Sequence, residues 1–305
     1  MRPLGSWAAI DRGPQAPYDG RSNSAKFNGF LVSLSTFAAA QILRALPRVH
    51  ISRAVGRLCD QPIPSGLARA VERAYCRAYR VNMDEAEGHL GSYPSFDAFF
   101  TRPLKKGMRR ISPDPIVSPS DGKLSCLGRI DSGGTILVKG QKYEAGELIG
   151  DDEDARRYSG GQFAVVYLAP GDYHRVHSPV DGRVTLLRGL PGDLFPVNSI
   201  GERYVPRLFV RNNRVAIVID TEALGRVTVV MVGATIVGRI SVNAMPGPAV
   251  PPGVHRVEPG MAVARGDEIG MFHLGSTAVV LLEPGPTLTR ATGVVRLGQS
   301  LVSSS

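Results

Sequence analysis

Two patterns of apolar and polar positions run along the chain and change over near residue 110. Before it, Phe30, Leu31, Leu34, Phe37 and Ala38 recur at helical spacing, continued by Ile42 and Leu43, the period of an amphipathic helix. Leu46-Pro47 predicts the end of that helix, because proline lacks the N–H and clashes with the preceding turn. A second helix is expected from about Ser52 to Cys59. A third, from about Gly66 to Arg80, follows Pro62-Ile63-Pro64-Ser65 with Ser65 as its N-cap. After residue 110 short apolar runs alternate with Gly, Pro and Asp, the texture of strands and turns. The runs Lys123–Ile130, Thr135–Lys139, Phe163–Leu168, Arg183–Leu187, Arg214–Ile219, Val227–Val232, Ile236–Ser241 and Thr277–Leu282 are the candidate strands. The expected fold is therefore α+β: residues 1–25 a polar mobile tail, 26–110 a helical and basic region, and 111–305 a β-rich core.

Charge sharpens this division. Of the 36 Lys+Arg and 27 Asp+Glu, residues 1–110 hold 17 and 8, so the whole net charge of +9 sits in the first third. No acidic residue occurs between Arg21 and Cys59, whereas Arg21, Lys26, Arg44, Arg48, Arg53 and Arg57 are basic. The apolar stripe beside these arginines predicts an interfacial helix on an anionic membrane surface. Nucleic acid is not expected as a partner, since the basic residues are not interleaved with stacking aromatics. Cys59, Cys76 and Cys126 form no CxxC pair, which argues against a disulfide framework or a zinc site. No secretory leader is expected in the first 25 residues, and no run reaches the roughly 18–20 apolar residues of a membrane span.

Candidate chemistry lies in three places. Ser118-Pro119-Ser120-Asp121-Gly122-Lys123 is echoed by Ser178-Pro179-Val180-Asp181-Gly182-Arg183, each a turn leading into a strand. His174 and His177 stand close together in Tyr173-His174-Arg175-Val176-His177, with the loop position at a strand end where site residues often lie. No HExxH helix or third ligand cluster accompanies them, so no metal is expected. The third place is Met271-Phe272-His273-Leu274-Gly275-Ser276-Thr277. A serine hydroxyl can attack the carbonyl before it, and glycine there removes side-chain obstruction. Elimination from the resulting ester leaves dehydroalanine, which hydrolyses to a pyruvoyl group. Such a serine needs a base oriented by an acid, for which His177 and Asp121 are available, with Asp181 a second candidate for the acid.

SPSDG, YHRVHSPVDG, PGDLFPVN, LFVRNNR, MVGATIVGRI and MFHLGST, together with SFDAFFTRPL upstream, occur in an order and spacing that closely resembles the bacterial phosphatidylserine decarboxylases, over roughly residues 27–290. The resemblance implies that Ser276 is the self-cleaving serine and future pyruvoyl group, His177 its base and Asp121 the acid partner. It implies that His174 serves decarboxylation, and that Asp181 is a turn residue only. It further implies cleavage between Gly275 and Ser276 into chains of residues 1–275 and 276–305 that stay together, as a dimer of heterodimers. The expected activity is conversion of phosphatidylserine to phosphatidylethanolamine at the cytoplasmic side of the cell membrane, with the pyruvoyl group as the one cofactor. A lipoyl-type carrier is the competing reading of Pro259-Gly260 to Phe272, but such a carrier needs a turn lysine and none follows Lys142.

Overall fold

The computed structural model describes residues 48–197, 205–234, 239–274 and 276–302. The expected tail, the Phe30–Leu43 helix, residues 236–238 and Gly275 lie outside them. The architecture is α+β. Helices α1 (Arg48–Asp60), α2 (Ser65–Tyr79) and α3 (Phe96–Phe100) precede a strand-rich body. Ser65 is the first residue of α2 rather than its cap. Pro64 holds the N-cap position and no side chain caps it. Ser95 does cap α3, its Oγ accepting from Ala98 N at 3.1 Å.

The body is an eight-stranded antiparallel sheet with strand order β10-β6-β7-β8-β12-β4-β1-β13. Its strands are β1 (Gly122–Arg129), β4 (Gln162–Leu168), β6 (Gly182–Leu190), β7 (Arg214–Asp220), β8 (Arg226–Val232), β10 (Gly253–Val263), β12 (Ser276–Leu282) and β13 (Gly293–Val295). Central strands β4, β7, β8 and β12 read QFAVVYL, RVAIVID, RVTVVMV and STAVVLL, almost wholly buried. Such near-continuous apolar runs belong to strands covered on both faces. Helices α4 (Ala145–Ile149) and α5 (Asp152–Ala155) contribute to the same core, with a β2–β3 hairpin (Thr135–Val138, Gln141–Glu144) before them. A second sheet, β5 (Arg175–His177), β11 (Glu268–His273) and β9 (Arg239–Val242), has the order β5-β11-β9. It packs on the large one, for a Cβ placed on Gly270 of β11 would stand 3.2 Å from Met231 Sδ of β8. Edge strands β10 and β13 leave Val254 65% and Val294 83% exposed.

The sequence echo is a structural pseudo-two-fold. Ser118 Oγ donates to Ser120 O at 2.8 Å, and Ser178 Oγ to Val180 O at 2.6 Å. The turns exchange backbone bonds, Val117 N to Pro179 O and His177 N to Pro119 O, at 3.0 and 2.8 Å. Asp121 Oδ1 accepts from Leu297 N, and Asp181 Oδ1 from Arg265 N. Each following strand opens in the same register, Lys123 opposite Tyr167 and Arg183 opposite Asp220. Glycine is required at both turns because a Cβ would meet the facing carbonyl, 2.3 Å from Tyr167 O at Gly122 and 2.6 Å from Asp220 O at Gly182. Gly122 also has φ of +147°, a region that side chains avoid. Gly122→Ala is expected to destabilise the protein by about 2–4 kcal/mol, read as a lowered urea midpoint at unchanged slope.

Candidate active site

The two aspartates of the repeated turn have different surroundings. Asp121 is 8% exposed and receives Arg109 Nε at 2.9 Å as well as Leu297 N at 2.8 Å. Arg109 in turn bridges to Glu85 at 2.6 Å. Asp181 is paired with Arg265, but its side chain is 61% exposed. Only Asp121 is therefore in a setting where its charge is weakly screened by water. It lies at the wall of a small cleft of about 180 Å³ that Arg102, Asp172 and Tyr173 also line.

His174 lies in the loop that leads into a short strand, β5, and His177 is that strand's last residue rather than a loop residue; β11 pairs with β5. His177 is buried, its Nδ1 2.8 Å from Gly266 O and its Nε2 3.1 Å from the Tyr173 hydroxyl. A carbonyl can only accept, so Nδ1 carries the hydrogen and Nε2 offers its lone pair to Tyr173. Burial lowers the pKa of His177, opposed first by the hydrogen bond to Gly266 O and then by the Glu268 carboxylate and, least of all, the Asp121 carboxylate. His174 has no exposed surface and packs against Phe100 with ring centroids 4.1 Å apart. Its Nδ1 donates to Asp172 O at 2.9 Å, while Nε2 is buried without a partner. Burial pushes its pKa down to about 3. Both imidazoles are thus neutral, with the lone pair on Nε2.

Ser276 opens β12 opposite Leu168, is 1% exposed, and its Oγ has no partner. Leu274 has φ of +85°, a left-handed conformation that is strained for a residue with a Cβ by about 1–2 kcal/mol. The backbone joins this segment to the histidines, since Phe272 N donates to His174 O at 3.0 Å. Asp121 and His177 are within electrostatic reach of each other, His174 is bonded through its carbonyl to the segment before Ser276, and Ser276 opens the strand that follows it. No side-chain hydrogen bond links Asp121, His177 and Ser276 to one another among the described residues. Arg109 and Tyr173 stand in those positions instead.

A second polar group adjoins the same segment. His273 Nδ1 lies 2.8 Å from Asp97 Oδ2, and its Nε2 3.0 Å from Ser241 Oγ. Arg239 reaches Asp97 at 3.1 Å and grips Asp60 with two bonds of 2.6 and 2.7 Å. Tyr173, Arg109 and this group were not singled out from the sequence. Asp97, Arg239 and His273 all stand inside recognised motifs, but Asp97 and His273 are 176 positions apart, and no local spacing could have joined them.

Comparison with known proteins decides the family. The sequence profile of phosphatidylserine decarboxylases matches residues 96–303. A phosphatidylserine decarboxylase proenzyme of Anaeromyxobacter sp. (strain K) is 42% identical over 273 residues, covering 85% of this chain and 95% of its own. That of Myxococcus xanthus is 38% identical over 270 residues, 86% and 96% of the two chains. That of Acinetobacter baumannii is 43% identical over 251 residues, 81% and 87%. The chain belongs to the phosphatidylserine decarboxylase family. The family match contains all four candidate residues, the Asp97–Arg239–His273 group and α3, whereas α1 and α2 precede it. Among the described residues no helix of this phosphatidylserine decarboxylase family member is long and apolar enough to cross a membrane.

The buried neutral histidines make stability depend on pH. An unfolded histidine takes its proton near pH 6.5, whereas folded His174 resists until about 3. Its contribution is therefore intact above pH 6.5 and lost as pH falls toward 3, at up to about 1.4 kcal/mol per pH unit. Urea unfolding at a series of pH values is expected to show a slope shallower by up to that amount in His174→Gln.

Proposed function

We propose that this chain is a self-cleaving proenzyme that turns Ser276 into a pyruvoyl group and then decarboxylates phosphatidylserine to phosphatidylethanolamine. The observation that carries this reading is Ser276 itself. Its hydroxyl is buried and unpartnered, on a residue fixed in a central strand, two positions after a strained Leu274.

In the first stage His177 Nε2 exchanges the Tyr173 hydroxyl for that of Ser276 and takes its proton. The Ser276 oxygen bonds to the Gly275 carbonyl carbon as the peptide C–N bond breaks, which leaves an ester and a free amine. Loss of the α-proton of residue 276 then breaks the Cβ–O bond and releases the Gly275 carboxylate and dehydroalanine. Water enters and ammonia leaves, giving the pyruvoyl terminus. The Asp121 charge favours His177 while it holds the proton, as the acid of a nucleophile–base–acid set does. Relief of the strain at Leu274 acts in the direction of cleavage.

The residues present fit the pyruvoyl group, since Ser276 Oγ and His174 Nε2 are among the buried polar atoms left without a partner. When formed, its carbonyl supplies an electron sink for the α-carbon of a bound amine. His174 is built to handle the associated proton. Its Nε2 lone pair can take the proton that the substrate ammonium sheds, and return it to the α-carbon once carbon dioxide has left. Full burial, with the Phe100 ring packed against the imidazole, keeps it from water. The role of the helices follows from their exposed faces. Leu58, Leu67 and Val71 are exposed at 70, 58 and 38%, among exposed Arg57, Arg69, Arg73 and Arg77. Such a mixed surface suits peripheral binding to anionic lipid on the cytoplasmic side. Residues 26–110 are accordingly the membrane-associating region and 111–305 the catalytic core, with the two cleaved chains remaining paired in a dimer of heterodimers.

Intact-mass measurement of the purified protein beside Ser276→Ala tests this. Wild type is expected as fragments of 275 and 30 residues, the smaller lacking a free amino terminus and reacting with a carbonyl reagent. Ser276→Ala is expected to remain whole and to release no carbon dioxide from phosphatidylserine vesicles. A wild-type chain that stays uncut in the presence of membranes would sink the mechanism.

A further inference from the structure

Self-cleavage, on the reading above, needs the chain on either side of the scissile bond to be held. On the far side β12 does this, since Ser276 is paired to β4 and Thr277 to both β4 and β8. On the near side the last residue of β11 is His273, paired in backbone register with Arg239 of β9. Its side chain is held as well. Nδ1 lies 2.8 Å from Asp97 Oδ2 and 3.0 Å from Arg239 Nη2, and Nε2 lies 3.0 Å from Ser241 Oγ, so both ring nitrogens are engaged. Only residues 274 and 275 lie between these two anchors, and the first of them carries the strained φ of +85°.

The His273 anchor is not self-contained. Asp97 belongs to α3, and the guanidinium of Arg239 joins Asp97 to Asp60, the last residue of α1. The Asp60 and Asp97 carboxylates together hold the Arg239 pKa above its ordinary value. One arginine thus spans a helix of the N-terminal region, a helix of the motif that packs on His174, and the strand end before the cut. A planar guanidinium can serve both carboxylates at once, which a lysine ammonium does less well.

We infer that Arg239 is a positioning residue for self-cleavage, and that through Asp60 and Asp97 it makes the cut conditional on α1 and α3 being seated against the β core. The inference deepens the function proposed above and rests on it. It has a directional consequence. Cleavage severs residue 273 from residue 276, so the network can act on Ser276 only before the cut. Loss of Arg239 should therefore slow processing while leaving the turnover of chains already processed near the wild-type level. A structural prop would affect both.

The test is a pulse–chase of the full chain made by cell-free translation with phosphatidylserine-containing vesicles, cleavage being followed by intact mass. Decarboxylation is normalised to the cleaved fraction. Arg239→Gln and Asp60→Asn are expected to slow cleavage by about ten- to a hundredfold, with Arg239→Lys between them and wild type. The double variant is expected to be no slower than Arg239→Gln, because both act through one link. kcat per cleaved chain should stay within about twofold of wild type, as an effect confined to the uncut chain requires. Cleavage at the wild-type rate in both single variants overturns the inference. So does a parallel fall in cleavage, kcat and melting temperature. Should Arg239→Gln fail to fold, Asp60→Asn alone carries the same readouts from the end of α1. If wild type itself remains uncut, the proposed function falls and not merely this refinement.

Discussion

The junction between β11 and β12 constrains everything else at the site. The first strand belongs to the small sheet and the second to the middle of the large one, and two residues make the passage. Both strands are paired on each side, so neither end can yield to relax the link. The strain at Leu274 and the unpartnered hydroxyl of Ser276 are therefore consequences of topology. A serine at the first position of a central strand is stripped of water, and a buried hydroxyl without a partner is destabilising by about 1–3 kcal/mol. Here that hydroxyl is also the nucleophile of the proposed reaction.

Burial sets the protonation of the two histidines in the same way. His174 and His177 each spend Nδ1–H on a backbone carbonyl, of Asp172 and Gly266 respectively. These carbonyls fix the tautomer, and desolvation keeps the rings neutral. The difference lies at Nε2, where His177 has the Tyr173 hydroxyl and His174 has nothing. One ring is a base held in check by a displaceable donor. The other is a buried imidazole with a free lone pair. Two histidines three positions apart, one just before β5 and the other its last residue, thus differ at Nε2 without any difference in residue type.

Much of this was legible in the sequence, for reasons that can be stated. The central strands β4, β7, β8 and β12 declared themselves because a strand buried on both faces is a near-continuous apolar run. Edge strand β10 did not, because GVHRVEPGMAV is largely exposed and interrupted by Pro and Gly. Strand β11 was hidden in a motif read for its chemistry, and β5 is three residues long, too short for a periodicity. The four candidate residues could be named from motifs, but their partners could not. Arg109, Tyr173 and Arg239 are ordinary surface-type residues whose significance comes from contacts made across the fold.

The pseudo-two-fold places the two copies of the repeated turn beside two different kinds of connection. In register, Tyr167 of β4 corresponds to Asp220 of β7, and their partners Thr277 and Arg226 correspond in turn. Ser276 therefore occupies the place of Gly225. In that half, residues 221–225 are a tight hairpin closed by Thr221 N donating to Gly225 O, so β7 and β8 are continuous and no strain is concentrated at the turn. In the other half β4 does not turn back into β12. The chain leaves β4 for the histidine strand, and β12 is entered from β11 of the second sheet. The same ladder position is thus reached by a relaxed hairpin in one half and by a taut crossing in the other. The crossing passes the histidines on its way, and the hairpin does not. Asp121 is buried on the side of the crossing and Asp181 is exposed on the side of the hairpin. The asymmetry that makes a site out of a repeated framework lies in the connection, and the residues around it have the burial and pairing that this connection imposes.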